Sequence, residues 1–289
     1  MKRSFPFFLL SILTALLLVF SSFALAQQPV PLSGFDIYFL SVGNADATLV
    51  LCDGRSLLID GGSRDTNQYI YAVIADHFGL DSLDVIISTH PDADHLSGLS
   101  SAIYAVNGRV GRVYWNGFSK ETKTYENFVS TLQKFRLTPV VPRVMDSFML
   151  GSASVTFISP AEGLVSEDLN DFSLVPLITY GGTRFIIAAD MSWEAEHALL
   201  ARQDLDLDID VLRVAHHGGK GSTCYQFLYR TSPAYAVIST GKNTYGHPTQ
   251  SVLDLLSDAG CTVYRTDLNG TVHCRSDGAS LTFLFHEGL

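Results

Sequence analysis

Cysteine is scarce: the four residues Cys52, Cys224, Cys261 and Cys274 in a chain of 289 are too few and too scattered for a disulfide scaffold. Basic residues are also few, with 19 Lys and Arg against 29 Asp and Glu, for a formal net charge of -10. That balance excludes a general nucleic-acid coat, which needs a positive surface. With 47% hydrophobic and 17% charged residues, 23 Gly and 10 Pro, the chain is neither disordered nor collagenous. No repeat of about 20–50 residues, no low-complexity linker and no second long apolar run divides it. What remains is a globular, enzyme-sized domain.

At the N-terminus, Lys2 and Arg3 precede an apolar run from Phe5 to Phe20 and a small-residue A-x-A site at Ala24 and Ala26. These are the marks of a secretory signal peptide over residues 1–26, which leaves residues 27–289 as one domain. No Cys follows the run to carry a lipid, so a free secreted product is expected, without a stable membrane partner. The alternative is an uncleaved anchor, since the run is nearly long enough to span a bilayer. Either way the remainder lies outside the cytoplasm. In that compartment Cys261 and Cys274, which flank the turn TDLNG, would face each other across a hairpin and bridge; two buried thiols are the alternative.

The runs FDIYFL (Phe35 to Leu40), DATLVLC (Asp46 to Cys52) and RSLLID (Arg55 to Asp60) predict an opening antiparallel meander. Helical patterns from Asn67 to Phe78, Leu96 to Val106 and Thr122 to Phe135 then alternate with the strands DVIIST and RVYW. Strands near Ser154 to Ile158, Ser173 to Thr179 and Thr183 to Ala189 open a second half that resembles the first. It continues through helices from Trp193 to Ala201, Thr223 to Arg230 and Gln250 to Ala259, with strands DVLRVA and AYAVIS between them. A three-strand meander is expected to close the chain. Two sheets with helices outside both, an α/β fold, is the economical architecture.

The densest polar cluster, His90-Pro91-Asp92-Ala93-Asp94-His95, follows the strand DVIIST and leads into a helix. Imidazoles and carboxylates projected from one strand-to-helix turn suit a divalent metal. The competing reading is a polar loop in which Asp92 or Asp94 caps the helix. Asp60 in LLIDGG, Asp190 in FIIAAD and the pair His216 and His217 in VAHHGG also follow apolar strands. Each alone would commonly be a cap or turn residue. Together they predict one cleft, because open α/β sheets gather functional groups at the carboxyl ends of their strands.

In order along the chain, LLIDGG, STHPDADHLSG, NDFSLV, FIIAAD, VAHHGGKGST and YGHPT resemble the metallo-β-lactamase fold hydrolases, specifically the ComEC-type domain of DNA-internalisation proteins. The resemblance runs from about Phe35 to Leu289 and implies a four-layer αββα sandwich holding two divalent metal ions. It implies His90 and Asp92 on the first ion, Asp94, His95 and His217 on the second, and Asp190 between them, with Asp60 and His216 supporting the ligands from behind. Many relatives have His where this chain has Asp92, an exchange that moves the preference from zinc toward manganese or magnesium; zinc and manganese both stay open. No His lies between His95 and Asp190, where many relatives carry one; Asp171, beside Asn170, is the candidate substitute, with a turn residue as the alternative. Gly219 stands where relatives commonly have Ser. The resemblance implies that Asp94 orients a metal-bound hydroxide and that His247 or Lys220 meets charge developing on the substrate.

From Val211 to Thr249 the chain carries Arg213, Lys220, Arg230 and Lys242 and no acid, which predicts a basic rim suited to a phosphate-bearing substrate. The expected function is a secreted, metal-dependent phosphodiesterase or nuclease acting on extracellular DNA. The alternatives are a phosphorylcholine-esterase-like or lactam or lactone hydrolase on a small substrate, and a non-catalytic metal-binding module. DNA uptake itself is not expected, because neither the membrane channel nor the oligonucleotide-binding domain of full ComEC proteins is visible in the sequence.

Overall fold

Side chains alternate across a strand, so a strand apolar at every position must be covered on both faces. Strands β1 (Phe35–Phe39) and β2 (Thr48–Cys52) are buried throughout. In the computed structural model, which describes residues 34–289, they lie in a sheet that is packed on both sides. The signal-peptide reading of residues 1–26 falls outside the described residues.

The first sheet adds β3 (Arg55–Ile59), β4 (Leu83–Ser88), β5 (Val110–Trp115), β13 (Thr271–Ser276) and β14 (Leu281–His286), in the order β14-β13-β1-β2-β3-β4-β5. The second contains β6 (Ser147–Leu150), β7 (Ala153–Ser159), β8 (Val175–Tyr180), β9 (Thr183–Ile187), β10 (Val211–Arg213), β11 (Tyr235–Ile238) and β12 (Thr262–Arg265), in the order β12-β11-β10-β9-β8-β7-β6. Both sheets are mixed. β1 to β3 and β6 to β9 pair antiparallel, while β3 to β5 and β9 to β12 pair parallel.

Three apolar layers separate the four structural ones. Phe35, Ile37 and Phe39 meet Phe157, Ile178 and Phe185 between the sheets. The alternate residues Tyr38, Leu49 and Leu58 pack outward on α1 (Asn67–Ala72), α2 (Ala93–Ala105) and α3 (Lys123–Phe135). Ile186, Leu212 and Ala236 pack on α4 (Trp193–Leu200), α5 (Tyr225–Thr231) and α6 (Gln250–Asp258). Each fully buried Leu, Ile or Phe contributes roughly 1.5–3 kcal/mol over exposure. The expected αββα sandwich is the observed fold.

The expected closing meander is not observed. β12 runs parallel to β11 in the second sheet, and Thr266–Asn269 forms a short helix, α7, from which the chain crosses to β13 in the first. Asn269 accepts from the Arg265 backbone N–H and Gly270 takes a positive φ, so the polar TDLN segment closes a helical turn instead of a hairpin. Cys261, just before β12, and Cys274, in β13, are therefore not opposite each other in a hairpin, and all four cysteines are free thiols. Cys274 is buried opposite Ile37 and Phe283, and the Cys261 thiol donates to the Pro233 carbonyl.

Candidate metal centre

Strand ends from both sheets deliver the polar residues to one edge of the sandwich. Asp60 follows β3, His90 follows β4, Asp190 follows β9, and His216 and His217 follow β10. Asp92 occupies the N-cap position of α2 but makes no capping bond, and Asp94 and His95 lie in the first turn of that helix. Asp46, His95, Asp190 and His217, all buried, each bring one ligand atom to within 4.8 Å of the others. His95 Nε2 is 3.2 Å from Asp190 Oδ1, and the Nε2 atoms of His90 and His217 lie 3.9 and 3.8 Å from Asp190 Oδ2. Asp94 Oδ2 sits 3.3 Å from His217 Nε2.

Hydrogen-bond partners set the orientation of the three buried imidazoles. Asp60 accepts at one oxygen from the Thr89 N–H and at the other from the Thr89 hydroxyl and from His95 Nδ1, at 2.8 Å. The Thr89 hydroxyl, its proton given to Asp60, accepts from His90 Nδ1. His217 Nδ1 donates to the Ser239 carbonyl at 3.0 Å. Every Nδ1 is thus a donor, and every Nε2 faces Asp190. His90 Nε2, His95 Nε2 and Asp190 Oδ1 are buried without hydrogen-bond partners. Buried polar atoms without partners are costly, and imidazoles held from behind by a carboxylate or carbonyl are the usual preparation for a metal ion. The donor set fits divalent metal.

Without an ion the cluster is internally charged. Burial disfavours a cationic His95, but the Asp190 and Asp60 carboxylates outweigh it and lift its pKa well above the ordinary range. Burial likewise opposes ionisation of Asp190, and His95 and His217 hold it well below the usual carboxylate value. Burial, then neighbouring His95, drives His90 down to about 3, leaving it a neutral ligand. An ion binding here displaces the His95 proton, so affinity falls with falling pH. Since Asp60 holds His95 directly and His90 through Thr89, Asp60→Asn is expected to weaken metal binding about 10–100-fold. Asn tolerates the left-handed φ of 56° at this position. Competition with a chromogenic chelator would measure the loss, and unchanged affinity would show that Asp60 does not hold these ligands.

Asp46 escaped sequence analysis because it sits just ahead of an apolar strand and reads as its first residue. Its carboxylate lies against the Arg213 guanidinium, which is fully buried beneath the cluster and also reaches the Ala189 carbonyl and lies 3.4 Å from His217 Nδ1. Arg213 is therefore not a rim residue. Arg230 is likewise absent from the rim, being bound to the carbonyls of Leu200, Arg202 and Leu205.

Glycines set the tolerances of the site. A Cβ on Gly98, in α2, would lie 1.9 Å from the Gly61 carbonyl oxygen, so the glycines of LLIDGG and DHLSG let the helix of His95 touch the loop of Asp60. A Cβ on Gly219 would meet His247 Nε2 at 2.8 Å, so the missing side chain makes room for that imidazole. Ala189, His216 and His217 hold left-handed φ values of 49°, 50° and 53°, conformations of the kind that cluster at functional sites. The loop they begin is fastened by buried Glu196, which accepts from the backbone N–H groups of Thr223 and Cys224.

The cluster opens into a cleft of about 740 Å³. Asp92, Asp94, Asp190, His216, His217 and His247 line it, as do Asn170 and Lys242. His216, expected behind the ligands, is half-exposed, with Nε2 3.8 Å from Asp190. Asp171 is buried to one side, hydrogen-bonded by the Ser166 and Ser192 hydroxyls. Lys220 lines a neighbouring pocket with Trp193 and Tyr225 instead of this cleft. Asp92 Oδ1 is paired at 2.6 Å with Lys120, a residue the sequence did not single out.

Residues 40–242 match the family described as the metallo-beta-lactamase superfamily. The chain is 34% identical over 207 residues to ComE operon protein 3 of Bacillus subtilis, covering 71% of this chain and 26% of that protein. It is 26% identical over 259 residues to competence protein ComA of Neisseria gonorrhoeae, covering 89% and 35%. It thus spans about a quarter to a third of the curated relatives it matches. The solved metallo-beta-lactamase fold protein YhfI of Bacillus subtilis superposes with a TM-score of 0.51 at 14% identity, covering 81% of this chain and 97% of that one, and so supports the fold alone. With its fold, its buried His and Asp cluster and its motifs in agreement, the chain, which is similar to ComEC-type proteins, belongs to the metallo-β-lactamase superfamily.

Proposed function

We propose that this protein is a metal-dependent phosphodiesterase that cleaves DNA outside the cytoplasm. The observation that carries the reading is the set of three buried imidazoles, each with Nδ1 engaged and Nε2 turned toward Asp190, at the floor of an open cleft. His90, Asp92, Asp94, His95, Asp190 and His217 would hold two divalent ions, zinc or manganese. Bound there, the ions would supply a water of lowered pKa and Lewis acidity toward a phosphoryl group.

The chain's own groups would do the rest. Asp94, with burial opposing and the His217 hydrogen bond favouring its charge, stays a carboxylate able to orient the attacking water by accepting its hydrogen bond. His247 lies across the cleft from the cluster, its ring 6.3 Å from that of His217. Burial, and then the neighbouring His216 and His217, lower its pKa, so it serves a phosphate oxygen as a neutral hydrogen-bond donor. Lys242 and Arg64 supply positive charge on the cleft wall. Lys220, on the adjoining pocket, would contact substrate beyond the scissile group.

Three features favour a polynucleotide: the breadth of the cleft, its asparagines Asn44, Asn170 and Asn243, and similarity to a protein named for competence. A choline cage needs several aromatic faces, and Tyr245 is the only Phe, Tyr or Trp among the lining residues. Export rests on the signal-like N-terminal sequence; among the described residues no helix is long and apolar enough to cross a membrane.

The test is hydrolysis of bis(p-nitrophenyl) phosphate and of DNA with manganese or zinc, beside Asp94→Ala. Turnover is expected to need metal and to fall at least about a hundredfold in the variant. No turnover of either substrate by folded, metal-loaded protein would sink the proposal.

A further inference from the structure

The two sides of the cluster differ in their readiness for a cation. On one side His95 Nε2 is 3.2 Å and His217 Nε2 3.8 Å from Asp190, and Asp94 is 3.3 Å from His217, with no lysine paired to either carboxylate. On the other, His90 Nε2 is 3.9 Å from Asp190, and the carboxylate that would complete the position, Asp92, already holds Lys120 Nζ at 2.6 Å. Lys120 lies in the loop leaving β5, and β5 pairs with β4, so the fold brings the lysine to the edge that carries His90. The remaining imidazole near Asp190, His216 at 3.8 Å, is half-exposed and is not held in place like the buried ones. Asp171 is engaged by Ser166 and Ser192, and the sequence has no His between His95 and Asp190.

Asp46 and Asp190 lie against the buried Arg213 guanidinium, which is held beneath the cluster and cannot leave, whereas Asp92 is paired with the ammonium of a half-exposed lysine that stands where an ion would approach. A dication approaching Asp92 meets a carboxylate already neutralised and a positive neighbour that repels it. The Lys120 side chain is 39% exposed, so it can withdraw into solvent, and the barrier it sets is a modest one.

We propose that the two ion positions are unequal, a tight one at Asp94, His95, Asp190 and His217 and a weak one at His90 and Asp92, and that Lys120 sets the difference by competing with the ion for Asp92. The inference rests on the two-ion reading of the site made above. At limiting metal the protein holds one ion, and the second arrives only as the lysine yields.

Calorimetric titration of the metal-stripped full chain with Mn²⁺ tests this directly. Wild type is expected to bind in two separated steps. Lys120→Met should tighten the weaker step about tenfold and leave the tighter within twofold. Lys120→Arg, which keeps the charge, should resemble wild type, and Asp92→Asn should abolish only the weaker step. Two equal steps in wild type would overturn the proposal. So would an unchanged weaker step in Lys120→Met, or a single bound equivalent that stays single in that variant. No binding at all would overturn the metal centre itself, whereas the other outcomes leave it standing.

Discussion

Asp190→Ala is expected to abolish binding of both ions at micromolar metal and to lower phosphodiester turnover by about a thousandfold, equivalent to about 4 kcal/mol of transition-state stabilisation. The reason is position. Asp190 is the one carboxylate within 4.0 Å of His90, His95, His216, His217 and Arg213 together. Removing it leaves a cationic His95 and a buried guanidinium facing each other with less compensation. Loss of one partner from a buried charged group typically costs about 3–5 kcal/mol. The variant should therefore lose metal and stability together, whereas Asp190→Asn should keep more of the packing and still lose the ions. Metal content by mass spectrometry and a urea melt separate the two effects. An Asp190→Ala protein that still holds two ions would remove Asp190 from the centre of the site.

Gly98→Ala gives the second large effect, and its sign is the diagnostic. In the middle of an exposed helix the exchange would stabilise by roughly 0.8–1.0 kcal/mol, since glycine is the poorer helix former. Here the new Cβ would lie 1.9 Å from the Gly61 oxygen and 3.0 Å from Ile70 Cγ1, and the first of these is backbone that cannot swing aside. The helix must lift from the loop, and overpacking of this kind costs about 1–3 kcal/mol or more. Overpacking wins. We expect a lower urea midpoint, and because His95 is one turn upstream on the same helix, weaker metal binding as well. A variant as stable as wild type would mean that the helix and the loop are not in contact.

This pair of glycines shows what the sequence made legible. LLIDGG and DHLSG could be recognised as motifs, and strand-end placement predicted that their acids and histidines converge, because both follow from local pattern. That Gly61 and Gly98 touch each other could not be read, since the contact joins separate elements. The same limit explains Arg213 and Asp46. A lone arginine in a run free of acids reads as surface charge, and only folding shows that an aspartate from the β1–β2 loop is buried against it. Lys120 was overlooked for a similar reason: its neighbours in sequence are polar and unremarked, and its meaning comes from Asp92 in the adjacent strand-end loop. The turn TDLNG suggested a hairpin on composition, but β12 pairs with β11 in the second sheet and β13, the expected hairpin partner, lies in the first.

The route by which the first sheet is finished bears on how the molecule is made. The second sheet lays its strands side by side in chain order from β6 to β12, whereas β1 finds its outer neighbour only in β13. The hydrogen bond between Asp36 and His273 joins residues 237 positions apart. During synthesis β1 therefore has one bare flank until the far segment emerges, and contacts so distant form late. An apolar strand with an open flank is a template for pairing with other chains. The window between the appearance of Phe35–Phe39 and of Thr271–Ser276 is thus the period in which this polypeptide is most exposed to aggregation, and in which a holding chaperone would serve it best.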